Sequence, residues 1–338
     1  MMDLIEVEGL VKVYPDGTRA VDDVSFQVAE GELFGFLGPN GAGKTTTIRI
    51  LVTLLPKTSG EARVAGVEVD ADPETVRRTI GYAAQFIGVD DDLTGLENLV
   101  LQGQLHGMTA ADARRRADEL LEIFALVPAA DKRARAYSGG MRRRLDLAQS
   151  LVHQPPLLFL DEPTTGLDPQ TRNALWQHLE ELNKKGTTIF LTTQYLEEAD
   201  RLCERLAIID NGKIVVTGSP KELKEEIGGD VVTLTLPEDA GDEVLRRAVT
   251  ALSELPGAGE PSTFDHALSI TVKNAGAALS DIVRRLDDAG VPVAQLALSS
   301  PTLDEVFLRH TGERMRVETL NDRASSSMSQ VMGGRRRR

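Results

Sequence analysis

Lys44 and Thr45 close a glycine-rich run, Gly38-Pro39-Asn40-Gly41-Ala42-Gly43-Lys44-Thr45-Thr46. The spacing is G-x-x-x-x-G-K-[ST], and its chemistry is phosphate binding. The glycines let the backbone bring its N–H groups close to phosphate oxygens. Lys44 is placed to reach β- and γ-phosphates. The Thr45 hydroxyl suits Mg²⁺, and the Thr46 hydroxyl suits the α-phosphate. A second set of reactive groups stands at Leu157-Leu158-Phe159-Leu160-Asp161-Glu162. Two adjacent acids directly after an apolar run are costly unless they serve a cation or a reaction. Asp161 suits a role in holding Mg²⁺, and Glu162 suits polarising an attacking water.

These groups need elements to hold them. Leu33-Phe34-Gly35-Phe36-Leu37 reads as a strand buried on both faces, and Thr46 to Val52 has helical spacing. The order strand, glycine turn, helix aims a helix dipole at the bound anion. Ile80 to Gln85 and Thr187 to Gln194 read as two further buried strands, with Gln85 and Gln194 as polar tips. Ligands in open α/β sheets sit at such carboxyl ends. Ser138-Gly139-Gly140 precedes a helix from Arg142 to Leu151 and makes a second anion-binding helix start. Tyr14 ends a strand beside the turn Pro15-Asp16-Gly17. It is either an ordinary strand aromatic or a face for stacking adenine.

Residues 3 to 31 alternate apolar and polar side chains and predict a small antiparallel sheet. Residues 94 to about 154 are helical, opening on the capping box Thr94-Gly95-Leu96-Glu97. After Gly228-Gly229 the pattern predicts a compact α+β unit, with helices over 242–252, 275–289 and 303–309 and strands over 231–236, 268–272 and 291–298. Residues 313–338 lose periodicity and read as a disordered tail ending in Arg335-Arg336-Arg337-Arg338.

Taken in order, Tyr14, Gly38 to Thr46, Gln85, Tyr137-Ser138-Gly139-Gly140-Met141, Asp161-Glu162, Asp168 and Gln194 resemble the ATP-binding cassette of an ABC transporter. The resemblance covers about residues 3 to 226. The run Leu191 to Asp200, with Pro301 to Leu308, is similar to the daunorubicin/doxorubicin-resistance group of bacterial ABC subunits. It implies an α/β P-loop fold with a mixed sheet. The cassette is expected over 1–226 with a helical subdomain at about 94–154, and an accessory α+β domain over 227–312. It implies ATP and Mg²⁺, with Tyr14 as adenine platform, Thr45, Gln85 and Asp161 toward the metal, and Glu162 as catalytic base. Gln85 would sense the γ-phosphate and touch the membrane subunit. Tyr137 to Met141 would meet the ATP of a second copy in a head-to-tail dimer, with Asp168 at the contact. The family's switch histidine is replaced by Gln194, which can donate a hydrogen bond but cannot become charged near neutral pH. The implied activity is ATP hydrolysis that powers export of an amphipathic compound through a separate permease, at the cytoplasmic face of the membrane.

Composition agrees. A net charge of -14 opposes nucleic-acid partners. A ribosome- or DNA-acting relative would carry two cassettes or a long coiled coil. A GTPase would show N-K-x-D, whereas Asn183-Lys184-Lys185 is followed by Gly186. The single cysteine, Cys203, forms no internal disulfide. No leader and no ~20-residue apolar span is expected.

Overall fold

A computed structural model describes residues 3–237, 240–264, 267–273 and 275–312. The tail expected over 313–338, with its four arginines, lies outside the described residues. The chain divides into two compact units at Thr217/Gly218.

In the first unit the alternating segments form Asp3–Val13 (β1) and Arg19–Ala29 (β2). The all-apolar Leu33–Leu37 (β3) is buried at every position and leads through the glycine loop into Lys44–Leu51 (α1). Ser59–Val64 (β4), Val67–Glu68 (β5), Pro73–Thr79 (α2) and Ile80–Ala83 (β6) follow. The helical part is Gly95–Leu105 (α3), Ala110–Ile123 (α4) and Gly139–Ser150 (α5). Then come Leu157–Asp161 (β7), Pro169–Lys184 (α6), Thr188–Thr193 (β8), Leu196–Leu202 (α7), Arg205–Asp210 (β9) and Lys213–Gly218 (β10).

These strands make a four-stranded sheet, β2-β1-β4-β5, and a six-stranded sheet, β10-β9-β3-β8-β7-β6. Within the second sheet β3 runs parallel to β8 and β9, and β7 runs parallel to β6 and β8. Register decides what meets at the strand tips: Leu37 pairs with Thr193, and Asp161 pairs with Thr192. Between the sheets lies an aromatic core. Phe26 of β2 stacks within 5.7 Å of Phe34 and 5.6 Å of Phe190, so the antiparallel sheet is locked over the base of the phosphate loop.

The helical part starts as expected. Thr94 accepts from the Glu97 N–H, and Glu97 accepts in return from the Thr94 N–H. α5 begins earlier than the expected Arg142, because Ser138 caps it by accepting from Met141 N at 3.3 Å. β6 ends at Ala83, so Gln85 stands in the loop beyond the strand rather than at its tip.

The second unit has Pro220–Glu225 (α8), Asp230–Thr235 (β11), Asp242–Ser253 (α9), Ser262–Phe264 (β12), Ala267–Val272 (β13), Ala275–Asp288 (α10), Gln295–Ser299 (β14) and Leu303–Thr311 (α11). Its sheet order is β12-β13-β11-β14. Leu252 of α9 and Ile282 and Leu286 of α10 share a core with Val232, Leu234, Leu268 and Ile270. The boundary at 217/218 puts α8 with this unit, earlier than the break expected after residue 226. β12 was not expected. β14 starts at Gln295 instead of Val291, because Pro292 has no N–H to give a ladder.

A groove of about 360 Å³ opens in the first unit between β6, α3 and α5. In it the rings of His106 and His153 stack, with centroids 3.9 Å apart. His153 Nε2 donates to Ile80 O at 2.9 Å, while its buried Nδ1 has no partner among the described residues. Burial, and then His106 beside it, push the His153 pKa down to about 4. The folded chain therefore takes up this proton later than the unfolded chain, whose histidine titrates near 6.5. Stability falls as pH drops from about 6.5 to about 4, by on the order of 1–2 kcal/mol after discount for the ring's partial exposure. Urea unfolding followed by Trp176 fluorescence at pH 7.5 and pH 5 checks this. The wild type should lose more stability than His153→Gln over that interval, and equal losses would refute the assignment.

Candidate functional site

The phosphate loop is fixed from beneath. A Cβ at Gly38 would lie 2.3 Å from Ile209 O, and one at Gly43 would lie 2.4 Å from Ala20 O, with φ at +105°. These two glycines thus seat the loop on β9 and β2. Gly43 also gives α1 no side-chain cap. The N–H groups of the first turn are left for an anion. The helix carries Lys44, Thr45 and Thr46 on that turn.

Lys44 is 4% exposed. Its Nζ donates to Gly38 O at 2.7 Å and Pro39 O at 2.9 Å. It also lies 3.3 Å from Glu162 Oε1. Burial lowers the Lys44 pKa, and the nearby Glu162 and Asp161 carboxylates oppose that shift. Asp161 ends β7 and is 1% exposed. Its Oδ1 accepts from Thr192 Oγ1 at 2.7 Å and from Thr45 Oγ1 at 3.1 Å. Burial raises its pKa, against the pull of these two hydroxyls.

Glu162 sits at φ +48°, a left-handed backbone for a residue with a Cβ. Two bonds of 3.1 Å from its N–H, to Thr192 O and Thr192 Oγ1, hold it there. Its Oε2 accepts from Gln85 Nε2 and from Thr165 Oγ1, each at 3.2 Å. Lys44, Glu162 and Gln85 are thus joined through one carboxylate, and Asp161 and Thr45 through another. The loop beyond β6 brings Gln85 in although the residue is off its strand. Tyr14 is half-buried, with its hydroxyl 3.4 Å from Thr46 Oγ1. The ring therefore flanks the loop helix.

Gln194 follows β8 and is 1% exposed. Neither Nε2 nor Oε1 of its amide has a hydrogen-bond partner among the described residues. A fully buried amide without partners costs about 1–3 kcal/mol, so this side chain is poised for a polar group that the protein does not supply.

Ser138 and Asp168 are exposed and lie outside this cluster. Each caps a helix: Ser138 caps α5, and Asp168 caps α6 by accepting from Thr171 N at 3.0 Å. Gly140 stands where a Cβ would meet Thr171 Cγ2 at 2.7 Å, so the two helix starts are neighbours. Tyr137 departs from its four successors. It is 6% exposed and its hydroxyl donates to Ala129 O at 2.7 Å, so it is a core residue of the helical part.

Sequence reasoning missed three residues. Thr192 bonds both acids of the pair, and its only signal was a hydroxyl in a buried strand. Arg143 was hidden in a run of arginines. Glu198, 0% exposed on α7, accepts from Trp176 Nε1 at 2.9 Å and ties α7 to α6.

A family model for ABC transporters matches residues 21–165, and one for the C-terminal domain of DrrA1-3-like ATP-binding proteins matches residues 218–311. The daunorubicin/doxorubicin resistance ATP-binding protein DrrA of Streptomyces peucetius is 47% identical over 308 residues, which is 91% of this chain and 92% of that protein. The chain belongs to the ABC transporter ATP-binding family. Another relative, the Nod factor export ATP-binding protein I of Ralstonia nicotianae, is 40% identical over 316 residues, 93% of this chain and 95% of that protein. Among solved structures, the ATP-binding cassette MJ0796 in a dimeric post-hydrolysis state bound to ADP and Pi is 28% identical. It has a TM-score of 0.60 and covers 64% of this chain and 98% of its own. The cassette binds ATP and is an ATPase, as the family is.

The unpartnered Gln194 amide gives the cassette a test. Gln194→Ala should lower kcat for ATP hydrolysis by about 10- to 1000-fold, the range for removing one preorganised donor, with little change in ATP affinity. Steady-state rates with purified protein check it. A rate within about twofold of wild type would remove Gln194 from the site.

Proposed function

We propose that this chain powers export of an amphipathic compound through a separately encoded membrane permease, with Glu162 as the base that activates water. The observation that carries this reading is the meeting of Lys44, Gln85 and Glu162 at the buried strand tips beside Asp161. Lys44 holds the β- and γ-phosphates as a point charge, and the α1 N–H groups complete the cradle. Tyr14 stacks on adenine. Thr45 and Asp161 offer a hydroxyl and a carboxylate 3.1 Å apart, a pair of hard oxygen donors that fits Mg²⁺. Mg²⁺ held by Thr45 and Asp161 would supply charge neutralisation to the phosphates. Gln85 orients water against Glu162, Glu162 Oε2 takes its proton, and Gln194 donates to a γ-phosphate oxygen.

Two copies would close head to tail. Ser138, Gly139, Gly140 and Met141 of one would then face the ATP held by the other, with Asp168 at the contact. The exposure of Ser138, Gly139 and Asp168, apart from the nucleotide cluster of their own chain, supports that arrangement. MJ0796 is described as dimeric in two solved structures. Among the described residues no helix is long and apolar enough to cross a membrane. The permease would dock at the groove that Leu54, Gln102 and His106 help to line. Phe86 at 78%, Leu105 at 73% and Leu54 at 60% exposure are large apolar side chains left uncovered on this unit. The cargo class follows from relatives named for daunorubicin and doxorubicin resistance and for Nod factor export.

Glu162→Gln keeps the shape but cannot act as a base. Hydrolysis should fall by about 10²- to 10⁴-fold with ATP still bound. Gel filtration in Mg-ATP should show a trapped dimer that ADP does not support. Normal turnover by the variant would take Glu162 out of the role. For the partner, Leu54→Asp should abolish retention of the chain on membranes that carry the cognate permease while leaving ATP binding intact. Retention equal to wild type would move the docking surface elsewhere.

A further inference from the structure

α5 carries Arg142, Arg143 and Arg144 in succession, and Arg143 is the buried one, at 4% exposure. Its guanidinium reaches three backbone carbonyls on two other segments and one carboxylate on its own helix. Nε donates to Pro163 O at 2.8 Å and Nη2 to Asp161 O at 3.3 Å. Nη1 donates to Ala84 O at 2.5 Å and to Asp146 Oδ2 at 3.1 Å. Asp146, one turn along α5, uses its other oxygen to accept from Gly88 N at 2.9 Å.

The loop from Ala84 to Gly88 is therefore held at both ends by one ion pair. Arg143 takes its first carbonyl and Asp146 takes its last N–H. Between those ends stands Gln85, 3.2 Å from Glu162 Oε2. Glu162 itself is held also through Thr192. The bonds from Arg143 to Asp161 O and Pro163 O tie the pair to the backbone on either side of Glu162. A guanidinium can do this because it presents five donors in a planar fork. A lysine ammonium has the charge but not the fork.

We propose that the Arg143–Asp146 pair is a positioning device that sets Gln85 against Glu162, so that a shift of α5 moves this contact. α5 is the helix that opens on Ser138-Gly139-Gly140. A nucleotide drawn to that helix start by a second copy would act on Gln85 through the pair. The proposal rests on the reading of Gln85 and Glu162 given above.

The test is a double-mutant cycle in the full chain, read as kcat and KM for ATP. Gln85→Ala alone should lower kcat by about 10-fold or more. Arg143→Lys alone should also lower kcat by about 10-fold or more, with KM changed by less than about threefold, as expected of misplacement rather than lost binding. With Gln85→Ala already in place, Arg143→Lys should cost less than about twofold, because no side chain is left to position. Equal fold-losses by Arg143→Lys in both backgrounds, or no loss in either, would overturn the positioning role and leave the site reading intact. A wild-type rate for Gln85→Ala would overturn the site reading, and the positioning role with it. If Arg143→Lys does not accumulate folded, Asp146→Asn in the same two backgrounds decides. It keeps an acceptor for Gly88 and removes the charge facing Arg143. It should cost about threefold alone and nothing after Gln85→Ala, and additive losses refute the device.

Discussion

The buried Lys44 is the constraint on which the nucleotide end of the first unit depends. An ammonium at 4% exposure is stable only if its donors are used. Gly38 O, Pro39 O and Glu162 use them. Removing one member of a buried ion pair leaves the other uncompensated, at about 3–5 kcal/mol. Glu162 is bound by the same rule, and it too is met from three directions. The arrangement that keeps these charges stable also prepares them. A phosphate, with more negative charge than one carboxylate, offers Lys44 a stronger partner than Glu162. Stability and readiness for an anion thus come from one geometry.

That geometry is set by strand register rather than by sequence neighbourhood. Residues 45, 161 and 192 are far apart along the chain. Parallel pairing of β3 with β8 and of β8 with β7 brings their ends into one row. The row is rigid because β3, β7 and β8 are buried throughout and Phe190 packs within 5.8 Å of Phe34. A one-residue slip of β8 would turn Thr192 away and leave both acids without its hydroxyl. The low tolerance of a buried parallel sheet for such slips holds the site to within hydrogen-bond distance.

What could be read from the sequence was local. The strand Leu33–Leu37, the glycine loop and the capping box at Thr94 each carry their signal within a few residues, and each was legible to within a residue or two. The acids after Leu160 were legible because charge directly after an apolar strand demands a reason. Tertiary partners were not legible. Arg143 looks like its neighbours in an arginine run, and only the fold shows that this one faces inward. Tyr137 reads as part of the glycine motif, yet packing gives its hydroxyl to Ala129. Gln85 reads as a strand tip, yet β6 ends two residues earlier and the loop delivers the side chain. The sequence breaks most strongly at Gly228-Gly229, whereas the compact units part at 217/218, where α8 packs with α11.

At the position where the resembled family carries a histidine, this chain buries Gln194 to 1% exposure. His153, in a more open place, already has its pKa pushed down to about 4. A histidine at the 1% exposure of Gln194 would lose still more hydration. Burial of that depth disfavours the charged form of an imidazole. Gln offers an N–H donor without the proton to gain. The amide carries its donor and its acceptor on one fork, whereas neutral imidazole carries them on opposite sides of the ring. The exchange therefore alters the placement of the hydrogen-bonding groups more than their kind.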